Sequence, residues 1–194
     1  ISISDKSYIN VALSAYESLN ADAKTMLATE KALLDSLLLK ITYLEVVELD
    51  VATFRANHSV VLALTTTTVV EGNQAIIDAA LADYYLSSID VRVQLTAEKA
   101  LLDNLLTEVE RQIALEIEIL LFKNNYSVEL VLTINTVQLD NKSFIENALV
   151  AYDLLSTEAQ VSLASEKGLL DSLLIEINRL ELIASEVSLF KIDH

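Results

Sequence analysis

EKALLDSLL at residues 30–38, EKALLDNLL at 98–106 and EKGLLDSLL at 166–174 are one phrase written three times. Leu33, Leu101 and Leu169, which open LLD in each copy, are evenly spaced (101 − 33 = 169 − 101 = 68), so no insertion or deletion separates them. The register holds far from the phrase. Ile9, Ile77 and Ile145 align, as do Ala12, Ala80 and Ala148, then Leu13, Leu81 and Leu149, then Tyr16, Tyr84 and Tyr152. Further downstream, Phe54, Phe122 and Phe190 coincide. A catalytic motif is needed once per active site, whereas a unit that buries its apolar face against a neighbour is needed many times. A fixed period therefore predicts an array of equivalent helical units and no enzyme.

Composition narrows the classes further. Of 194 residues, 53% are apolar, which is ample for a core. No apolar run reaches the ~18–20 residues of a membrane helix. The longest uncharged stretch, 56–70, carries Asn57, His58 and four threonines. No membrane insertion by this segment is expected. Thirteen basic against 29 acidic residues give a net charge of −16, which repels phosphate backbones, so no nucleic-acid partner is expected. The same lack of basic residues, with the fixed repeat, weighs against a lipid-carrying amphipathic protein. There is no cysteine, hence no disulfide framework. Proline is absent and glycine occurs only at 72 and 168, so little interrupts long helices.

Within a period, Asp5, Asn73 and Asn141 are N-cap residue types. Each precedes a short helix with apolar residues at helical spacing (Ile9, Ala12, Leu13, Tyr16 in the first copy). Asn20, Ser88 and Ser156 supply a second cap, and Asp22, Asp90 and Glu158 place an acid in the next first turn. The helix that follows carries Leu27, Leu34, Leu37, Leu38 and Ile41 with no stop signal. Its apolar spacing continues through Leu44, Val47, Val51, Phe54, His58 and Leu62, so it is predicted to run to about Leu64 and to break at the threonines of 65–68. The next break is predicted at TINT, 133–136. SVVLALTTTTVV (59–70) and SVELVLTINTVQL (127–139) also read as strands, being rich in β-branched residues. The expected architecture is all-α: tandem three-helix-bundle repeats of 68 residues joined by continuous helices, a spectrin-like rod. Residues 1–43 form a partial repeat, 44–111 and 112–179 full repeats, and 180–194 the first helix of a further one.

FRANHSVVLALTTTTVVEGNQAIIDAALADYYL (54–86) and DNKSFIENALVAYDLLSTEAQVSLASEKGLLDSLL (140–174) resemble the small three-helix modules repeated in large bacterial cell-surface proteins. There, a V…D…I..A..AY..L helix precedes an A…L...EK.L helix. The resemblance covers essentially the whole chain. It implies an exported, extracellular, surface-attached spacer or stalk, or an adhesin segment that binds a host protein or glycan. It carries over no catalytic residue. SID at 88–90, preceded by Tyr84, Tyr85 and Leu86, departs from the pattern, where the first and third copies read more like AY..L.

The candidate chemistry has bland readings. Lys31 and Asp35, Lys99 and Asp103, and Lys167 and Asp171 are helical i,i+4 neighbours, expected as structural pairs. His58 and His194 stand two periods apart with Tyr126 between, an exchange that a metal ligand or catalytic base does not tolerate. Glu116 and Glu118 face different sides of a helix. Neither metal-ligand spacing nor a phosphate loop nor a nucleophile elbow occurs, so no catalytic residue, metal or cofactor is assigned. The recurring Tyr16, Tyr84 and Tyr152 read as half-buried rings with a wet hydroxyl. The sequons at Asn57, Asn125 and Asn141 are about as many as chance supplies in a chain this rich in Asn and Ser. The excess of exposed-type residues at Tyr84, Tyr85 and Leu86 is the one candidate binding surface. The chain is expected to be a monomer.

Overall fold

The lack of helix breakers shows directly in helix length. A computed structural model describes residues 1–193, and among these 83% are helical and none forms a strand. His194 lies outside the described residues. The helices are α1 (Lys6–Glu17), α2 (Ala21–Met26), α3 (Ala28–Asn57), α4 (Ser59–Leu62), α5 (Gln74–Leu86), α6 (Ile89–Gln94), α7 (Thr96–Asn125), α8 (Lys142–Asp153), α9 (Thr157–Ser162) and α10 (Ala164–Asp193). The three long ones, α3, α7 and α10, have 30 residues each, or about 45 Å at 1.5 Å per residue.

Three expectations about helix ends need correction. Asp5, Asn73 and Asn141 make no N-cap bond to the helices they precede. Their side chains reach backwards instead, accepting from the amides of Ser2, Val70 and Gln138 at 2.9, 2.9 and 2.8 Å and closing a 3₁₀ turn. Asn20, Ser88 and Ser156 do cap, accepting from Ala23, Val91 and Ala159. The helix they start is broken after six residues, at Leu27, Leu95 and Leu163, where ψ rises to 18°, 18° and 17°. The bend turns Leu95 and Leu163 fully into the core, a burial worth roughly 1.5–3 kcal/mol each. At the far end the long helix stops at Asn57 and at Asn125, short of Leu64. His58 takes φ −107° and ψ 16°, and its amide bonds back to Phe54 and Ala56.

The strand reading of 59–70 and 127–139 also fails, for a local reason. Thr65 N–H donates to Thr68 Oγ1 at 2.9 Å, while the amides of Thr68 and Val69 return to the Thr65 carbonyl. Thr133, Thr136 and Val137 repeat this turn bond for bond. Local hydroxyl bonding satisfies the backbone that a sheet would otherwise need. The turn delivers Val69 and Val137 into the core at 2% and 6% exposure.

The chain divides into two units, Ile1–Val109 and Glu110–His194, and the division falls inside α7. In the first unit α1 and α2 pack on α3, α6 packs on α3, and α4 on α5. Ile41, Val47, Val51 and Phe54 of α3 are buried there, as are Ile77, Val91, Leu95 and Leu102. In the second unit α8 and α9 pack on α10. Its core joins Phe122, Val137, Ile145, Ala148, Tyr152, Leu163, Leu170, Leu173 and Ile177, with Tyr126 at the margin.

Two stability outcomes follow. Phe122→Ala should lower stability by about 3–5 kcal/mol, and Tyr126→Ala by clearly less, because only Phe122 is fully enclosed. Equal urea midpoints for the two would contradict that burial. Gly168 lies in α10 where the other copies have alanine, and a Cβ there meets nothing within 4 Å. Gly168→Ala should therefore raise stability by about 0.4–1 kcal/mol through lost unfolded-state freedom.

Candidate functional site

The thrice-written phrase builds a brace. Tyr16, Tyr84 and Tyr152 each donate their hydroxyl to a backbone carbonyl eight residues on, at Lys24 (3.0 Å), Arg92 (3.5 Å) and Gln160 (2.6 Å). This pins the corner between the two short helices of each copy. Lys31, Lys99 and Lys167 stand 5.9, 5.8 and 5.8 Å from the centroids of those same rings. Each ammonium also holds its i+4 aspartate: Lys31 to Asp35 at 2.7 Å, Lys99 to Asp103 at 2.6 Å and Lys167 to Asp171 at 2.8 Å. The carboxylate bond raises all three lysines above the ordinary ammonium value. Each lysine so links a long helix to a tyrosine-pinned corner, and all three copies use their charges identically.

A second set of contacts joins long helices to the elements that follow. Arg55 Nε donates to Glu98 Oε1 at 2.6 Å and Lys123 Nζ to Glu166 Oε1 at 2.7 Å; both pairs are 43 residues apart. Tyr43 Oη donates to Asp90 at 2.5 Å, and Arg111 pairs with Glu158, both 47 apart. Glu118 accepts from the amide and hydroxyl of Ser156 at 2.8 and 2.5 Å. The Ser156 hydroxyl, then its amide, holds the Glu118 carboxyl below its ordinary value of 4.5. Lys123, then Ser165, does the same for Glu166. Sequence reasoning missed these pairs. Their signal was available as a donor and a carboxylate recurring at a constant separation.

The candidate surface at Tyr84, Tyr85 and Leu86 is split by the fold. Tyr84 is half-buried and pinned, while Tyr85 and Leu86 are 60% and 84% exposed. The two rings meet edge to face at 5.5 Å, and Lys99 Nζ lies 5.3 Å from the Tyr85 ring. Exposed Ile89 and Val93 extend the patch along α6. The matching positions are Glu17, Ser18, Ala21 and Thr25 in the first copy, and Asp153, Leu154, Thr157 and Val161 in the third. Only the middle copy adds an aromatic there.

His58 faces Asp83, Nε2 to Oδ2 at 2.9 Å, with its ring 4.6 Å from Phe54. Together with Asp50 and Asn57 they line a cleft of about 200 Å³. Tyr126 occupies the equivalent place against Phe122 at 5.1 Å, where Ala151 replaces Asp83. The histidine and the tyrosine thus share a packing role beside phenylalanine. His194, the other sequence candidate, lies outside the described residues. Among the described residues no group of three or more His, Cys, Asp or Glu side chains is placed to hold a metal ion.

The depressed Glu118 value has a signed consequence. Its contribution to stability is present above about pH 4.5 and is lost as pH falls through the lower folded-state value. Glu118→Gln should therefore lower the melting temperature near neutral pH, and the gap to the parent should close on acidification. A gap that stays constant from pH 7 to about pH 3 would show that the Ser156 contact does not depend on the charge.

No protein-family model matches this chain, and neither a curated protein nor a solved structure does.

Proposed function

We propose that the chain is a structural spacer, a stalk segment of a bacterial surface protein with no catalysis, built from three-helix repeats of 68 residues in which each long helix serves two successive repeats. The observation that carries this reading is the recurrence of contacts as well as residues. The tyrosine brace, the lysine–aspartate pair and the donor–carboxylate pairs between long helices return at the same separations. Side chains used identically in each copy are used for architecture. In this reading 44–111 and 112–179 are full repeats, flanked by a partial one at 1–43 and a first helix at 180–194. The extracellular location belongs to the same proposal and rests on the resemblance of the repeats to surface-protein modules.

One observation favours a second reading, an adhesin-type module that grips a host protein or glycan. Tyr85, Leu86, Ile89 and Val93 are all more than half exposed and concentrate apolar surface in the middle copy. A pure spacer has no need of such a concentration.

The spacer reading requires mechanical continuity through α7. Gln112 lies well inside that helix. Gln112→Pro removes a backbone donor and clashes with the preceding turn, at a cost of roughly 3 kcal/mol or more. The expected result is uncoupled unfolding of the two sides, each keeping most of its helicity in circular dichroism. A cooperative melt unchanged by Gln112→Pro would sink the spacer reading.

A further inference from the structure

We propose that the groove on α5 and α6 bounded by Tyr85, Ile89 and Val93, with Arg92 at its edge, docks a segment of a partner protein that presents apolar side chains beside a single carboxylate. The inference rests on the adhesin-type reading and gives its partner a chemistry, a peptide and not a glycan.

The groove, about 420 Å³, lies in the middle copy. The positions matching Tyr85, Leu86, Ile89 and Val93 are exposed in the first and third copies too, so no element of the repeat covers this face. What differs is the charge. In the first copy Lys24, the counterpart of Arg92, is held by Glu17 at 3.2 Å. In the third copy Gln160 stands in place of the cation and turns its amide onto the carbonyls of Tyr152, Asp153 and Leu155. In the middle copy the cation is kept, but Tyr85 stands where the first copy has its acid. Arg92 makes no ion pair among the described residues. One exchange therefore exposes an aromatic ring and frees a guanidinium at the same place.

The other polar groups of the groove are occupied inside the chain. Tyr84 Oη donates to the Arg92 carbonyl, Thr96 Oγ1 donates to the Val93 carbonyl, and Lys99 holds Asp103 at 2.6 Å. A glycan needs several free donors and acceptors, whereas this groove offers aliphatic surface and one planar fork of donors. Ile89 and Val93, 69% and 68% exposed, suit apolar side chains of a partner. An uncharged partner would desolvate the guanidinium without pairing it, while a carboxylate accepts two parallel bonds from it. The rest of the partner segment carries few acids, because a chain of net charge −16 repels a strongly acidic one. A second copy of this chain is disfavoured on the same ground. The groove is small, so the complex belongs to the transient class, below about 1,200 Å².

Panning a displayed random-peptide library against the 194-residue chain, then titrating the enriched peptide by fluorescence polarisation, tests this. The expected consensus is apolar residues beside one Asp or Glu. Tyr85→Glu rebuilds the pair of the first copy and should weaken binding at least about tenfold with helicity unchanged. Arg92→Glu should weaken it comparably, and a peptide with lysine in place of its acid should bind Arg92→Glu with the affinity restored. No enriched peptide, a consensus without the acid, affinity indifferent to either variant, or a charge exchange that fails to rescue overturns the proposal. So does self-association of the chain that Tyr85→Glu abolishes. A glycan array bound at this groove in place of any peptide overturns the proposal but keeps the adhesin-type reading, and silence from both peptide and glycan removes that reading as well.

Discussion

Everything in this molecule depends on one constraint: a 30-residue helix carries more apolar surface than one set of neighbours can cover. In α3 the stretch at Leu34, Leu37 and Ile41 lies beside α1 and α2, while Val47, Val51 and Phe54 lie buried farther along. Two sets of partners are needed because neither Gly nor Pro divides the helix. The short helices are cut to fit this. They are four to thirteen residues long, too short to persist alone. They survive because the capping hydroxyls, the Thr turn and the tyrosine brace hold their ends against a long helix.

Electrostatics then sets the register that apolar contacts leave loose. The long helices open with Glu30, Glu98 and Glu166 and close with Arg55, Lys123 and Lys191. Each charge opposes the helix dipole at its own end. The same residues then pair across helices, Arg55 with Glu98 and Lys123 with Glu166. An exposed pair of this kind adds little stability by itself. A slip along the helix would place these carboxylates among others in a chain of net charge −16, so like-charge repulsion penalises the wrong register. The few basic residues are informative because they are few.

Much of the fold was legible because it rests on counting. The interval of 68, the helical spacing and the absence of breakers give all-α helices of unusual length, and the second caps at Asn20, Ser88 and Ser156 act as read. The breaks were not legible. Leu27, Leu95 and Leu163 bend the chain without glycine or proline; tertiary burial accompanies the bend at Leu95 and Leu163, whereas Leu27 bends the same way while 38% exposed. Asp5, Asn73 and Asn141 look like N-caps by type but bond backwards, since a 3₁₀ turn precedes the helix and a side-chain oxygen serves either direction. Thr65 to Val69 reads as a strand by propensity, yet its hydroxyls close a turn. At the candidate surface, type alone could not tell pinned Tyr84 from exposed Tyr85, because a single step of about 100° around the helix separates a structural ring from a surface one.

The pairs between a long helix and the elements that follow it also show what kind of contact the repeat makes. At one site the donor changes from Tyr43 to Arg111 and the acceptor from Asp90 to Glu158; at the other, arginine becomes lysine while glutamate stays. Side chains drift but roles do not: the earlier long helix donates, and the following period accepts. Such a contact is directional. Two identical donor faces, or two identical acceptor faces, bring like charges together, so the surface does not pair with itself by two-fold symmetry. The apolar face supplies the adhesion, and the polarity of the pairs fixes which element donates and which accepts.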